Sequence, residues 1–162
     1  MPIIKHSYAI FCLVMFLTVV GCATTEQAYR TTEEKNLRIE AKTDPNSFGK
    51  VRSTYLYVYE VDRRCETNYL GYVRLDKPLI EIGLPTGKLL MLTADFVASE
   101  RFSSSTTRNS YSYLLQPQPG YDYAADIQHR EKLYKFTLME RHRGSGTKRV
   151  VERKDLSSCV PR

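Results

Sequence analysis

Only one stretch of this 162-residue chain is hydrophobic enough to meet a membrane, and it lies at the start. No second apolar span follows it, so the remainder is not expected to cross a bilayer as a helix. Histidine is scarce, and past the first segment only His129 and His142 remain. Two cysteines and two histidines without ligand spacing leave no metal site to expect there. No Gly-x-Ser-x-Gly elbow is present. Arg143-Gly144-Ser145-Gly146 has the small residues of one, but it lies between strand-like segments and reads as a hairpin turn. Phosphate-cradling glycine loops are absent as well. Glu60, Glu81, Asp95 and Asp126 are the carboxylates to consider as an acid/base pair, and nothing in the sequence places two of them together. His129 and His142 read as surface residues near strand ends. These absences point away from an enzyme: no catalytic residue and no cofactor is expected.

What is present begins with the leader. Lys5 and His6 stand in a short start without acidic residues, and an apolar run then extends from Ala9 to Val20. About twelve residues are too few for a helix to cross ~30 Å of hydrocarbon, which takes ~20. A positive start, a run of that length and small residues after it are the parts of a secretory signal peptide. Residues 1–21 are therefore read as a cleaved leader.

Val19-Val20-Gly21-Cys22 resembles the lipobox of bacterial lipoproteins. The resemblance implies cleavage between Gly21 and Cys22, with diacylglycerol on the Cys22 thiol and an acyl group on the new amine. Thiolate is the strong nucleophile such alkylation needs. Each buried CH₂ is worth ~0.8 kcal/mol, and two or more chains hold firmly where one is marginal; the resemblance implies three. Position 23 is Ala rather than the Asp that retains many such proteins in the inner membrane, which favours the outer membrane. The expected location is thus the outer membrane, with the domain facing the periplasm.

Removal of the leader leaves 141 residues, enough for one domain, at a net charge of +5 once Lys5 is gone. So small and dispersed a charge fits ordinary solubility, and no nucleic-acid partner is expected. Cys12 leaves with the leader and Cys22 is acylated, so Cys65 and Cys159 remain as one disulfide in an oxidising envelope. Such a bond closes a loop of roughly 95 residues, for which chain entropy assigns ~4–5 kcal/mol at most.

Residues 22–50 are polar and read as a tether, with a frayed helix from about Thr32 to Lys42 stopped at Asp44-Pro45. As a flexible coil the tether spans about 30 Å. From Val51 the period becomes two: Tyr55, Tyr57, Tyr59 and Val61 share one face, Leu56 and Val58 the other, as in a central strand. Tyr69–Leu75 completes a hairpin. Leu79–Pro85, Lys88–Ala98, Tyr111–Leu115, Tyr121–Gln128, Tyr134–Met139 and Thr147–Glu152 read as further strands, with Ser103–Ser110 as a polar loop. An all-β, antiparallel β-sandwich of about seven strands over residues 51–160 is expected.

Gly83-Leu84-Pro85-Thr86-Gly87-Lys88 before a long strand, and Pro119-Gly120-Tyr121-Asp122-Tyr123 before another, resemble the prealbumin (transthyretin-type) domains of small bacterial lipoproteins. The resemblance implies the same sandwich and, by some members, a part in a larger envelope assembly. Two surfaces are candidates for binding. Ten tyrosines lie in the domain, and a solvent-facing row of them would stack on sugar rings or hold a partner protein. The last hairpin gathers Arg141, Arg143, Lys148 and Arg149, which would meet lipid phosphate or anionic glycan, although a charged edge strand that resists aggregation explains the same residues. The expectation is a membrane-anchored, non-catalytic interaction or structural module with an envelope protein partner. A glycan-binding domain for peptidoglycan or lipopolysaccharide is the second reading, and a hydrolase a distant third.

Overall fold

The computed structural model describes residues 27–46, 48–131 and 133–161. The leader and the lipobox with Cys22 lie outside the described residues. Nine strands are found among those described: β1 (Leu37–Thr43), β2 (Lys50–Val61), β3 (Thr67–Arg74), β4 (Leu79–Ile82), β5 (Leu90–Glu100), β6 (Thr106–Leu115), β7 (Tyr121–His129), β8 (Tyr134–His142) and β9 (Lys148–Val150). They form a four-stranded sheet in the order β3-β2-β5-β6 and a five-stranded sheet in the order β4-β1-β7-β8-β9. The all-β sandwich is as expected, with more strands and one parallel pair, β1 with β7. Among the described residues no helix is long and apolar enough to cross a membrane.

The core lies where period-two strands turn their apolar sides inward. Leu56 and Val58 of β2 face Ala94 and Leu92 of β5 across the ladder, and Tyr113 continues the row on β6. Leu37, Ile39, Ile127 and Leu138 close the row from the other sheet, all essentially without exposure. Each such side chain is worth about 1.5–3 kcal/mol relative to an exposed position. Buried Asn36 stands in for a backbone pair, accepting from the Leu84 amide at 2.7 Å and donating to its carbonyl at 2.9 Å.

Residues 37–43 correct the tether reading. Instead of a frayed helix, Leu37, Ile39 and Ala41 bury alternately while Arg38, Glu40 and Lys42 stay exposed, and β1 becomes a central strand between β4 and β7. Three apolar residues on a charged stretch carry a period of two, and tertiary pairing overrides the helix propensity of Glu, Lys and Ala. The domain therefore begins before residue 51. A second correction concerns the polar loop: Thr106–Ser110 belongs to β6 and pairs with β5 out to Ser99.

Chain ends close both open sides of the sandwich. On one side, the Tyr29 amide donates to Tyr72 O at 2.8 Å, the Tyr72 amide to Gln27 O at 3.0 Å, and the Tyr29 hydroxyl to Gly83 O at 2.8 Å. The β3 edge is thereby joined to the neighbourhood of β4. Gly71 and Gly83 permit this approach, since a Cβ would stand 2.6 Å from Tyr29 Cα at the first and 2.4 Å from Glu33 O at the second. On the other side, the Val151 amide donates to Leu138 O and the Leu114 amide to Lys154 O, both at 2.8 Å. A short 3-10 turn, Leu156–Ser158, then delivers Cys159 to Cys65, and the disulfide fastens the C-terminal strap to the β2–β3 turn.

Candidate binding face

The outward side of the four-stranded sheet follows from the register. If Leu56 and Val58 point inward, Tyr55, Tyr57 and Tyr59 point outward. On β3 they stand opposite Arg74, Tyr72 and Tyr69, and on β5 opposite Asp95, Thr93 and Met91. A bulge between Val58 and Tyr59 resets the pairing and keeps Tyr69 and Tyr72 on the same side. Their rings form one cluster: Tyr59 and Tyr69 have centroids 5.5 Å apart, Tyr55 meets Tyr72 edge-on at 5.8 Å, and Tyr57 lies 6.2 Å from Tyr72. Contacts at these separations add about 0.5–1.5 kcal/mol beyond area burial. Tyr57 is buried by its neighbours rather than by the core, while the others are half-buried.

One carboxylate sits in this face. Asp95 is 2 % exposed and accepts from Arg108 Nε at 2.6 Å and Ser110 Oγ at 2.8 Å. Arg108 Nη2 also contacts Asp95, so the guanidinium engages it through two nitrogens. The hydrogen bond and charge of Asp95 push the Arg108 pKa up, with a smaller contribution from Tyr57. Beside it Thr93 and Ser112 share a hydrogen bond of 2.9 Å. A buried carboxylate held by a charge-assisted pair is a structural pin between β5 and β6. Sequence reasoning named Asp95 but missed Arg108 and Ser110. The available signal was a lone acid within the apolar run 88–98, at the parity of the tyrosines rather than of the core.

On the opposite sheet the outward side has another character. Asp126 takes Lys135 at 2.8 Å, Asp122 takes Arg141 at 3.0 Å and Arg143 at 2.7 Å, and Arg143 reaches Glu34 at 3.1 Å. Burial pushes the Asp122 carboxyl up, but the hydrogen bonds and charges of Arg143 and Arg141 win and hold it below the ordinary range. Arg149 pairs with Glu140. Of the four cations expected as a binding cluster, Arg141, Arg143 and Arg149 are thus each spoken for by an acid. Lys148 lines a shallow depression of about 570 Å³ over this face, whose charged rim also includes Arg38, Glu40 and Glu81.

The four candidate carboxylates are dispersed. Glu60 pairs with Lys88 at 2.9 Å, Asp126 with Lys135, Asp95 lies in the tyrosine face and Glu81 on β4. Among the described residues no group of three or more His, Cys, Asp or Glu is arranged to hold a metal ion. Ser145 is in a turn: its amide donates to His142 Nδ1 and its hydroxyl to Thr147.

His129 corrects the surface reading. It is 1 % exposed, Nδ1 shares a 2.9 Å hydrogen bond with Thr54 Oγ1, and its ring packs on Phe96 and Tyr134 with centroids 5.5 and 5.3 Å away. Nε2 has no partner among the described residues. Burial lowers its pKa, Arg52 lowers it further, and Asp44 opposes them. The physical reason is parity: His129 follows Ala125 and Ile127 on the inward side of β7. His142, at the end of β8, is exposed as expected.

Compared with known proteins, the chain matches no protein-family model, no curated sequence and no solved structure.

Proposed function

We propose that this chain is an acylated bacterial envelope lipoprotein, anchored in the outer membrane through Cys22 with its domain in the periplasm. In this reading the sandwich is a non-catalytic interaction module that works through the tyrosine face. One observation carries the reading of the face: five half-buried to buried tyrosines cluster outward on one sheet, where the other sheet spends its outward positions on ion pairs. Aromatic side chains with a polar tip are what binding surfaces concentrate. The run Ala9–Val20, whose end forms Val19-Val20-Gly21-Cys22 with the two residues after it, supports the anchor. The prealbumin-type resemblance belongs to the same proposal, supported by the turns at 83–88 and 119–123 that lead into β5 and β7.

Two measurements test it. Intact mass and cell fractionation of Cys22→Ser against the parent should show loss of acyl mass and of firm membrane retention; an unchanged distribution removes the anchor. A photoreactive residue at Tyr72 should crosslink to envelope components in intact cells, while one at Gln128 on the ion-paired face should not. Equal labelling from both would refute the assignment of the face. A second reading, sugar-ring stacking by the same tyrosines, is favoured by the contiguous ring cluster. It requires retention of the protein on peptidoglycan or lipopolysaccharide at low salt, and loss of that retention in Tyr59→Ala.

A further inference from the structure

The seat of the N-terminal strap on β3 says what the tyrosine face is next to. The Gln27 carbonyl accepts from the Tyr72 amide at 3.0 Å and from the Tyr69 hydroxyl at 3.3 Å. The N-terminal strap is therefore seated beside two tyrosines of the cluster. Five residue steps separate Gln27 from Cys22. Even fully extended they reach roughly 17 Å, at 3.3–3.6 Å per residue. An acylated Cys22 thus holds the β3 side of the sandwich close to the bilayer, not at the end of a long coil. The exposed Phe48–Phe102 pair is remote from this point, because the seven residues from Tyr57 to Lys50 carry β2 about 23 Å further along its axis.

We infer that the tyrosine face rests on the bilayer interface, with its rings at headgroup depth. This rests on the anchor reading above and deepens it by naming the surface that the face meets. Tyrosine is the side chain for that depth, its ring favouring the acyl boundary and its hydroxyl the water. Of the charges at the sheet's outward positions, Asp95 is already neutralised by Arg108, and Arg74, opposite Tyr55, is an exposed cation of the sign that lipid phosphate attracts. Around the exit of the chain, Arg30, Arg63 and Arg64 are exposed and make no ion pair among the described residues. Nearby Asp62 gives its carboxylate to the amides of Arg64 and Glu66. Those arginines suit lipid phosphates. The ion-paired sheet offers no such match and faces away.

The chain contains no tryptophan, so a single introduced one reports alone. Tyr59→Trp, Tyr69→Trp and Phe102→Trp are prepared as full acylated protein, with the acyl mass verified. Each is reconstituted into vesicles of phosphatidylethanolamine and phosphatidylglycerol with brominated acyl chains. Emission from Trp at 59 and at 69 should shift to the blue and fall by about half against unbrominated vesicles, as expected for interfacial rings. Emission at 102 should be unchanged. Two positions are used so that misfolding at one leaves the other to report. Acylated, vesicle-bound protein with no quenching at 59 or 69 overturns the inference while the anchor stands, and so does quenching at 102 as strong as at 69. A response at 59 to peptidoglycan fragments, in vesicles whose bromine it does not sense, overturns it in favour of the glycan. Protein that carries no acyl mass refutes the anchor and the inference together.

Discussion

The two outward sheet faces share a fold and differ in how they meet their surroundings. On the five-stranded sheet, charged residues alternate with the core-facing ones and neutralise one another across strands, as Asp122 does with Arg141 and Arg143. That is a surface made for water. On the four-stranded sheet the same positions hold tyrosines, Met91, Thr93 and one buried aspartate paired with Arg108, with Arg74 beside Tyr55. The difference teaches that outward parity alone does not define a charged face: β2 carries Leu56 and Val58 on its inward side and a row of tyrosines on the other. Many surface ion pairs contribute ~0–1 kcal/mol each, so the charged face is not where stability resides.

Perturbations of graded size test this contrast. Replacing Cys65 and Cys159 by serine unties the C-terminal strap, and a loss of about 3–4 kcal/mol is expected in denaturant titration, near the loop-entropy value. A loss below ~1 kcal/mol would mean that the strap holds without its bond. Arg108→Met leaves the Asp95 carboxylate buried without its cation and should cost about 2–3 kcal/mol; Asp95→Asn in the same background should recover part of it. Tyr57→Ala removes the ring at the middle of the cluster and should cost about 2 kcal/mol, which lies within the range for a buried side chain. Arg141→Met on the opposite face should cost less than ~1 kcal/mol, and less still in high salt. If Arg141→Met proves as damaging as Arg108→Met, the two faces are not different in kind.

Between the faces, His129 sets a response to pH. Its pKa is lowered in the fold by burial first and by Arg52 second. The unfolded chain therefore takes up the proton more readily, and folding stability is complete above the ordinary histidine value of ~6.5. It declines as pH falls through that value towards the lowered one of the folded state. Thermal unfolding scanned downward from pH 8 should show this decline, and His129→Gln should flatten it. A wild-type curve without the decline would place the ring in contact with water.

How much of this was legible in the chain depended on which residues carried the pattern. Strand β2 announces itself because tyrosine alternates with leucine and valine without interruption from Tyr55 to Tyr59, and β7 because Tyr123, Ala125 and Ile127 recur at every second position. The cysteine pairing followed from elimination and is the pairing found. Strand β1 escaped because its inward residues are only Leu37, Ile39 and Ala41, set among Glu and Lys that favour helix when read locally; its strand form is imposed by β4 and β7, the latter some 86 residues later. The ion pairs of the basic hairpin escaped for a related reason. Its cations are adjacent in sequence, but the acids of Arg141 and Arg143 arrive from β7, as Asp122, and from the strap, as Glu34, while only Arg149 finds its acid, Glu140, within the hairpin. His129 misled because a single histidine at a strand end gives no parity of its own until the strand's register is known.

The parallel partnership of β1 and β7 also bears on how the molecule assembles. Leu37 cannot meet Tyr123 until nearly the whole chain is available, while β2, β3, β5 and β6 pair through contacts much closer in sequence. High contact order slows folding, since loop closure must precede the reward. The first strand to emerge is thus the one that has to wait longest, and until β7 is laid down β1 presents an open edge on the side away from β4.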